Sequence, residues 1–447
     1  MRNVNENKNM SLRKLRTQAQ VCAELWRTVC VEVFGRGNAA DRVLSGLLRA
    51  HRGAGSRDRR FYAETIFGFF RGWGVLRGLL SEEKREKFER TGEGCNFYEE
   101  SALLLGGALF AFTPLSLPLA AQVWADGLKV RLPGKFTLET ICEMLKIPPE
   151  WSSYSRLLPE WSYGYIDKSL NPERLGALLL ERPPLWLRAQ CDDVDGLISE
   201  LGRAGVNAVR HPLVKDALAV YDTRINLYTL EGFRAGRFEI QDLASQEIGL
   251  VCAPRPGERW WDACAGAGGK SLQLAQLMRR KGTVVASDIR EYKLEDLRKR
   301  ARRAGFPNIR TKSWDGGALR YRDRGKFDGV LVDAPCSCSG TWRRNPDGRW
   351  ILREEEVKEL AELQLSILMN ASSGVKPGGV LIYGTCSMFS MENTGVVEAF
   401  LAGNGDFELE EFISPLTGEK SPGYVLADMG HNNSDAMFAA RLRRKKN

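Results

Sequence analysis

The sequence predicts an α/β fold, a mostly parallel sheet with helices on both faces, preceded by an all-α region and a small α+β region that links the two. Three observations predict it. From about Leu15 to Leu145, apolar residues recur three and four positions apart, the period of a helix. Between Pro183 and Tyr228, short strand-like runs flank one amphipathic stretch, and from about Phe238 strand and helix patterns alternate to the end. With 447 residues the chain exceeds one typical domain, and the pattern divides it into residues 1–150, 151–236 and 237–447.

The helical region reads as AELWRTVCVEVFGRG, ADRVLSGLLRAHRG and RDRRFYAETIFGFFRGWGVLRGLL, with glycine and charge breaks between. The run ALLLGGALFAFTPLSLPLAA from Ala102 is long enough to cross a membrane, but Pro114 and Pro118, with Gly106 and Gly107, break it. Two buried helices joined by a proline-rich turn are expected instead. Residues 148–172 read as loop. PPLWLRAQ then reads as a strand and DGLISELGRAG as an amphipathic helix. In the last region WWDAC, TVVASD, GVLV before Asp333 and VLIYGT read as buried strands.

Lysine and arginine outnumber acids 65 to 56, a net charge of +9 that favours a polyanionic partner. Ten cysteines without a C-x-x-C pair, behind the polar start MRNVNENKNMSLRKLR, point to a reducing cytoplasm rather than to secretion. With only three histidines and that cysteine spacing, no metal site is expected, and the chain is read as a monomer with no membrane partner.

The stretch DACAGAGGKS, Asp262 to Ser271, ends like a phosphate-binding loop. That reading fails, because Cys264 stands where the first glycine of the loop belongs. The dinucleotide pattern G-x-G-x-x-G fails too, with Ser271 in place of its third glycine. What survives is a strand, a tight glycine turn, a helix opening at Lys270 or Ser271, and a second strand ending in Asp288, ~20 residues on, where a carboxylate can hold a ribose. S-adenosylmethionine fits this Rossmann-like arrangement, since it has a ribose but no pyrophosphate. Gly266, Asp288, Asp333 and Cys386 all fall at strand ends, where open α/β sheets bind ligands.

DACAGAGGKS, DAPCSCSGTWRRNPD and GTCSMFSMENT, in that order, resemble the motifs of the Sun/Nop family of RNA cytosine-5 methyltransferases, most closely the bacterial RsmB type that modifies 16S ribosomal RNA. The resemblance runs from about Glu181 to the C-terminal SDAMFAARLRR. Before that, ADRVLSGLL, RDRRFYAETIFGFFRG and LPEWS resemble the NusB-like helical domain of those enzymes, although its usual helices are hard to trace between Gly94 and Pro149. RAQ at Arg188–Gln190 departs from the family's Arg-x-Asn, and CAGAGGKS from its commoner alanine-proline turn.

Cytosine C5 takes a methyl group only after a nucleophile has added at C6, which suits a thiolate, and a carboxyl group must protonate or hydrogen-bond N3. Cys336 and Cys386 both lie just past strand ends, and the residues alone do not choose between them. The resemblance implies that Cys386 attacks C6, that Cys336 assists release of the product and that Asp333 contacts N3. It further implies that Cys264, Ala265, Gly266, Ala267, Gly268, Gly269 and Lys270 wrap the methionine part of the cofactor. Asp288 would hold the ribose, Asp315 the adenine, and Lys293 and Asp333 would also contact the cofactor, while Lys270 would approach the target base or lower a thiol pKa. Cys338 has no family role, and the six remaining cysteines read as packing residues. Arg343 and Arg344 suit either RNA phosphate or salt bridges within their loop. The rival readings are an RNA-binding ribosome-assembly factor that keeps the fold without turnover, and a methyltransferase for a small molecule or protein, which needs no second active-site cysteine.

Overall fold

The computed structural model describes residues 11–51, 53–221 and 225–446; the polar start read above as non-secretory, residues 1–10, lies outside them. By compactness the chain divides in two, residues up to Arg182 with Trp342–Leu352, and Pro183–Thr341 with the chain from Arg353 onward.

The first unit is helical: α1 (Leu12–Cys30), α2 (Ala40–Ala50), α3 (Ser56–Leu76), α4 (Glu82–Thr91), α5 (Phe97–Ala111), α6 (Ala120–Leu128), α7 (Leu138–Leu145) and α8 (Pro172–Leu180). Three helices, α5 to α7, thus lie within residues 94–149, where the family's helices are hard to trace in the sequence. Start signals are local: Ser11 caps α1 by accepting from Lys14 N, and Asn96 and Glu99 form a reciprocal capping box on α5 at 2.9 Å each way. The core stacks Trp26, Phe69, Trp73 and Phe88, with Trp73 and Phe88 centroids 5.0 Å apart. The long apolar run does break into α5 and α6, at the turn holding Pro114 and Pro118. Its glycines do something else. A Cβ on Gly68 of α3 would sit 2.0 Å from the carbonyl oxygen of Gly107, so these positions let two helices touch backbone to backbone. Among the described residues no helix is long and apolar enough to cross a membrane.

Trp342–Leu352 packs as part of this unit. Asp347 accepts from Ala40 N at 2.8 Å, Trp350 Nε1 donates to the Phe70 carbonyl at 2.6 Å, and Arg349 donates to that of Arg71 at 2.5 Å. Arg343 is 1% exposed and donates to the Glu181 carbonyl at 3.3 Å, a contact within this unit, as in the salt-bridge reading of its loop.

The second unit begins with an antiparallel sheet built from β1 (Leu185–Ala189), α9 (Val194–Arg203), β2 (Ala208–Arg210), β3 (Ala217–Val220), α10 (Glu231–Arg234) and β4 (Phe238–Ile240), in strand order β2-β3-β1-β4. Phe238 therefore ends the small sheet rather than starting the parallel alternation. Next come α11 (Leu243–Cys252), β5 (Arg259–Asp262), α12 (Gly269–Leu277), β6 (Thr283–Asp288), α13 (Glu291–Arg303), β7 (Ile309–Ser313) and β8 (Phe327–Asp333). After α14 (Gly348–Ile351), in the segment grouped with the helices, follow α15 (Glu354–Ser372), β9 (Val375–Thr385), α16 (Thr394–Gly403), β10 (Phe407–Leu409), the ribbon β11 (Phe412–Ile413) and β12 (Lys420–Ser421), β13 (Tyr424–Leu426), α17 (Met429–Asn432) and β14 (Phe438–Arg444).

The main sheet runs β10-β14-β9-β8-β5-β6-β7, with β13 beside β14. Strands β5 to β9 are parallel. Helices α11, α12 and α13 cover one face, and α15 and α16 the other. Two features correct the expected alternation. The link from β7 to β8 holds only a 3₁₀ turn at Tyr321–Asp323, and after α16 the chain turns antiparallel, β14 pairing with β9 and β10. From β5 the chain first winds outward to β6 and β7, then crosses back to β8 and β9. The switch between β5 and β8 opens a crevice at their carboxyl ends.

Candidate active site

At that crevice β5 ends in Asp262, fully buried, and the chain turns through Gly266 and Gly268 before α12. Gly268 has φ +86° and its absent Cβ would lie 2.4 Å from Leu297 Cγ, so the turn tolerates only glycine there. This caps α12 so that it opens at Gly269, one residue before the expected start. Ala265 N donates to the Ser287 carbonyl at 2.7 Å, Gly268 N to that of Ala265 at 2.8 Å, and Arg300 of α13 to that of Ala267 at 2.8 Å. Arg300 is itself held by the buried Glu239 at 2.9 Å. A Cβ on Gly266 or Gly269 would meet nothing within 4 Å, so the backbone there lies open to a ligand. At its rim Asp288, ending β6, accepts from Gly266 N at 2.9 Å and pairs with Arg290 at 2.9 Å. Burial works to raise the Asp288 pKa, but the hydrogen bonds and charge of Arg290 hold it below the ordinary range, so it stays an acceptor.

Across the crevice Lys270 Nζ contacts Asp333 Oδ2 at 2.7 Å, joining the first turn of α12 to the end of β8. Burial works to lower the Lys270 pKa; the neighbouring Asp333, then Cys386, raise it on balance, and the amine stays charged. Just beyond β8 and β9 the thiols of Cys336 and Cys386 meet, Sγ to Sγ 3.3 Å, and Cys386 N lies 3.3 Å from Cys336 Sγ. Cys338, exposed, brings a third sulfur, so that all three lie within 4.8 Å of one another. Its φ is +56°, a left-handed backbone that costs a side-chain-bearing residue roughly 1–2 kcal/mol. The Cys336 thiol is pushed up by its hydrogen bonds to Cys338 and Cys386 and by burial. For Cys386 the bond from Cys336 works downward, but Cys338 and burial outweigh it. The partners' hydrogen bonds lower Cys338 instead, so negative charge in the cluster favours its open side.

Glu392 knits the two cysteine loops together. Fully buried, it accepts from Ser337 N at 2.8 Å, Ser337 Oγ at 2.5 Å, Gln364 Nε2 at 2.9 Å and Ser387 Oγ. Each serine follows one of the paired cysteines, so this one carboxylate ties the two cysteine loops together. Sequence reasoning missed it, although it stands in the quoted MEN, because Gln364 and Ser337 lie 28 and 55 residues away. Asp262 was missed too. It accepts from Ser271 Oγ at 2.6 Å, its other oxygen has no partner, and burial pushes its pKa up to about 7, opposed by Ser271 and reinforced by Asp333.

The remaining candidates stand apart. Asp315 is exposed and accepts from Gly317 N at 3.0 Å, and Lys293 Nζ lies 5.5 Å from the Tyr292 ring centroid. Among the described residues no hydrogen bond joins either to the glycine turn. Cys264 is half-buried, and burial raises its thiol pKa. Gln190, the departure from Arg-x-Asn, accepts from the buried Arg188 at 2.8 Å, so its amide completes the network that anchors α12 through Gln276.

Residues 249–443 match the model of the family described as 16S rRNA methyltransferase RsmB/F. Relatives named ribosomal RNA small subunit methyltransferase B are 34% identical, from Salmonella arizonae over 268 residues and from Klebsiella pneumoniae over 270. The matches cover 59% and 60% of this chain and span 61% of the length of each relative. Among solved structures, that of PH0851 shares the fold over 96% of this chain and 99% of its own, with a TM-score of 0.73 at 24% identity. A methyltransferase homolog protein from Pyrococcus horikoshii covers 61% of this chain and 90% of its own at 26% identity, with a TM-score of 0.53. Residues 249–443, the stretch that matches this family's model, hold the glycine turn, the Lys270–Asp333 pair and both cysteine loops.

Proposed function

We propose that the protein methylates C5 of a cytosine in RNA, with S-adenosylmethionine as methyl donor and 16S ribosomal RNA as substrate, through a covalent bond from Cys386 to C6. The observation that carries the reading is the pair of thiols 3.3 Å apart beside the Lys270–Asp333 pair, at the crevice that the glycine turn also borders. The name of the relatives supports the small-subunit RNA as substrate.

The residues present fit the cofactor: open backbone at Gly266 and Gly269 and an ionised carboxylate at Asp288 suit a ribose and an amino-acid tail. When bound, S-adenosylmethionine supplies an electrophilic methyl group on sulfur. Cys264 to Lys270 hold its methionine part, Asp288 its ribose and Asp315 its adenine, with Lys293 and Asp333 as further contacts. The Cys386 thiolate forms the S–C6 bond while the C5–C6 π electrons shift into the ring. A proton held between Asp333 and N3 keeps negative charge off the ring, and the ammonium of Lys270 offsets the charge on the carboxylate. Once C5 is methylated its proton passes to water, the C–H electron pair restores the double bond, and the S–C6 bond breaks to return the Cys386 thiolate, assisted by Cys336. The target base must be unpaired or flipped to present C6 to the thiolate.

The helical region, residues 1–150, acts as a NusB-like RNA-binding domain, residues 151–236 link it to the catalytic region 237–447, and the protein works in the cytoplasm as a monomer. The test is methyl transfer to protein-free 16S RNA and to small subunits, with the product mapped by bisulfite resistance. One resistant cytosine, absent when Cys386 is alanine, supports the reading. RNA binding without transfer to either substrate favours the assembly-factor alternative.

A further inference from the structure

The methylation reading uses two thiols, and the structure presents three. Cys338 takes no part in that chemistry, yet it sits in a left-handed backbone that glycine would adopt without strain. Its sulfur lies within 4.8 Å of those of Cys336 and Cys386. Four-coordinate zinc with sulfur ligands at about 2.3 Å holds its sulfurs a little under 4 Å apart, between the 3.3 Å of the closest pair and that outer bound. The two loops are already locked by Glu392, so little ordering remains to form such a site. Cys338 is exposed and offers the entry path. Among the described residues no other three potential metal-ligating side chains converge as closely.

We propose that Cys336, Cys338 and Cys386 form a site for one thiophilic cation, of the zinc class, whose occupation stops methyl transfer by engaging the nucleophile. Binding makes three metal–sulfur bonds and releases the protons of whichever thiols are not already ionised, with a fourth position left to water. No electron is transferred, so a chelator reverses it. The inhibitory part rests on the methylation reading; the binding part does not.

The test titrates the full-length, metal-free protein, kept reduced with a phosphine, with cadmium while following the ultraviolet thiolate-to-cadmium absorption. No RNA or cofactor is present, so failure of the methylation reading leaves this readout intact. The expected result is one cadmium per chain, displaced by zinc. Cys338→Gly, which relieves the strained backbone, should weaken binding about 100-fold while the protein stays folded and retains methyl transfer. Zinc should then inhibit the parent reversibly and spare the variant. Absence of the absorption, or equal cadmium affinity in Cys338→Gly, overturns the proposal. Tight one-to-one binding with undiminished methyl transfer overturns its inhibitory part.

Discussion

Replacing Glu392 by alanine tests whether one buried carboxylate sets the spacing of the two active-site thiols. Its four donors are not equivalent. The Ser337 and Ser387 hydroxyls can turn to Ser339 Oγ, 3.1 and 3.0 Å away, and Gln364 Nε2 keeps the Pro335 carbonyl at 2.9 Å. Ser337 N has no such substitute, and a buried donor left unpaired costs about 1–3 kcal/mol. With the cavity left by the side chain, the loss comes to about 3 kcal/mol. The Cys336 loop then loses its anchor to the Cys386 loop, and a displacement of ~1 Å at reacting groups costs about 100-fold in rate. The glycine turn and Asp288 are untouched, so the KM for S-adenosylmethionine should hold while kcat falls. Urea unfolding with an unchanged m-value and single-turnover methyl transfer check the two parts. Glu392→Gln, which keeps the shape and half the acceptors, should lie between alanine and the parent. Stability within about 0.5 kcal/mol of the parent, with an unchanged rate in Glu392→Ala, would refute the reasoning.

Three more outcomes follow from the same structure. Gly68→Ala drives a methyl group into the Gly107 carbonyl and should destabilise the helical unit by about 3 kcal/mol, read by thermal unfolding, whereas Gly127→Ala, with nothing within 4 Å, should not. Asp262 and Glu247 are each pushed up to about 7 by burial, so the folded form binds more protons than the unfolded one. Their contribution to stability is full below about pH 4 and is lost as pH rises toward about 7; Asp262→Asn should flatten that fall in urea titrations run across the window. Asp288→Ala removes the acceptor at the rim of the glycine turn and should raise the KM for S-adenosylmethionine at least ~10-fold with little change in kcat at saturation, as expected for a lost uniform-binding contact.

Much of the site could be read from the chain because its parts are local. A strand ends, a ligand-facing residue follows, and the pattern repeats at Asp262–Gly268, Asp288, Asp333 and Thr385–Cys386. What escaped was set by distant partners. Glu392 reads as one more polar residue after a cysteine motif until Ser337 and Gln364 fold against it. Arg343, beside a second arginine in a loop, suits RNA phosphate or a salt bridge equally until its segment packs with the helices and buries it. Gly106 and Gly107 look like helix breakers because their packing partner on α3 lies about 40 residues earlier. At the antiparallel end of the sheet β10 and β13 hold three residues each, too short for periodicity to register.

The central claim is that Cys386 bonds to RNA while Cys336 frees it. Cys336→Ala should therefore stall after methyl transfer, leaving a protein–RNA adduct that survives denaturation when 16S RNA and S-adenosylmethionine are supplied. Cys336→Ala/Cys386→Ala should show none. An adduct that persists in the double variant, or none in Cys336→Ala under conditions where the parent methylates RNA, would contradict the account.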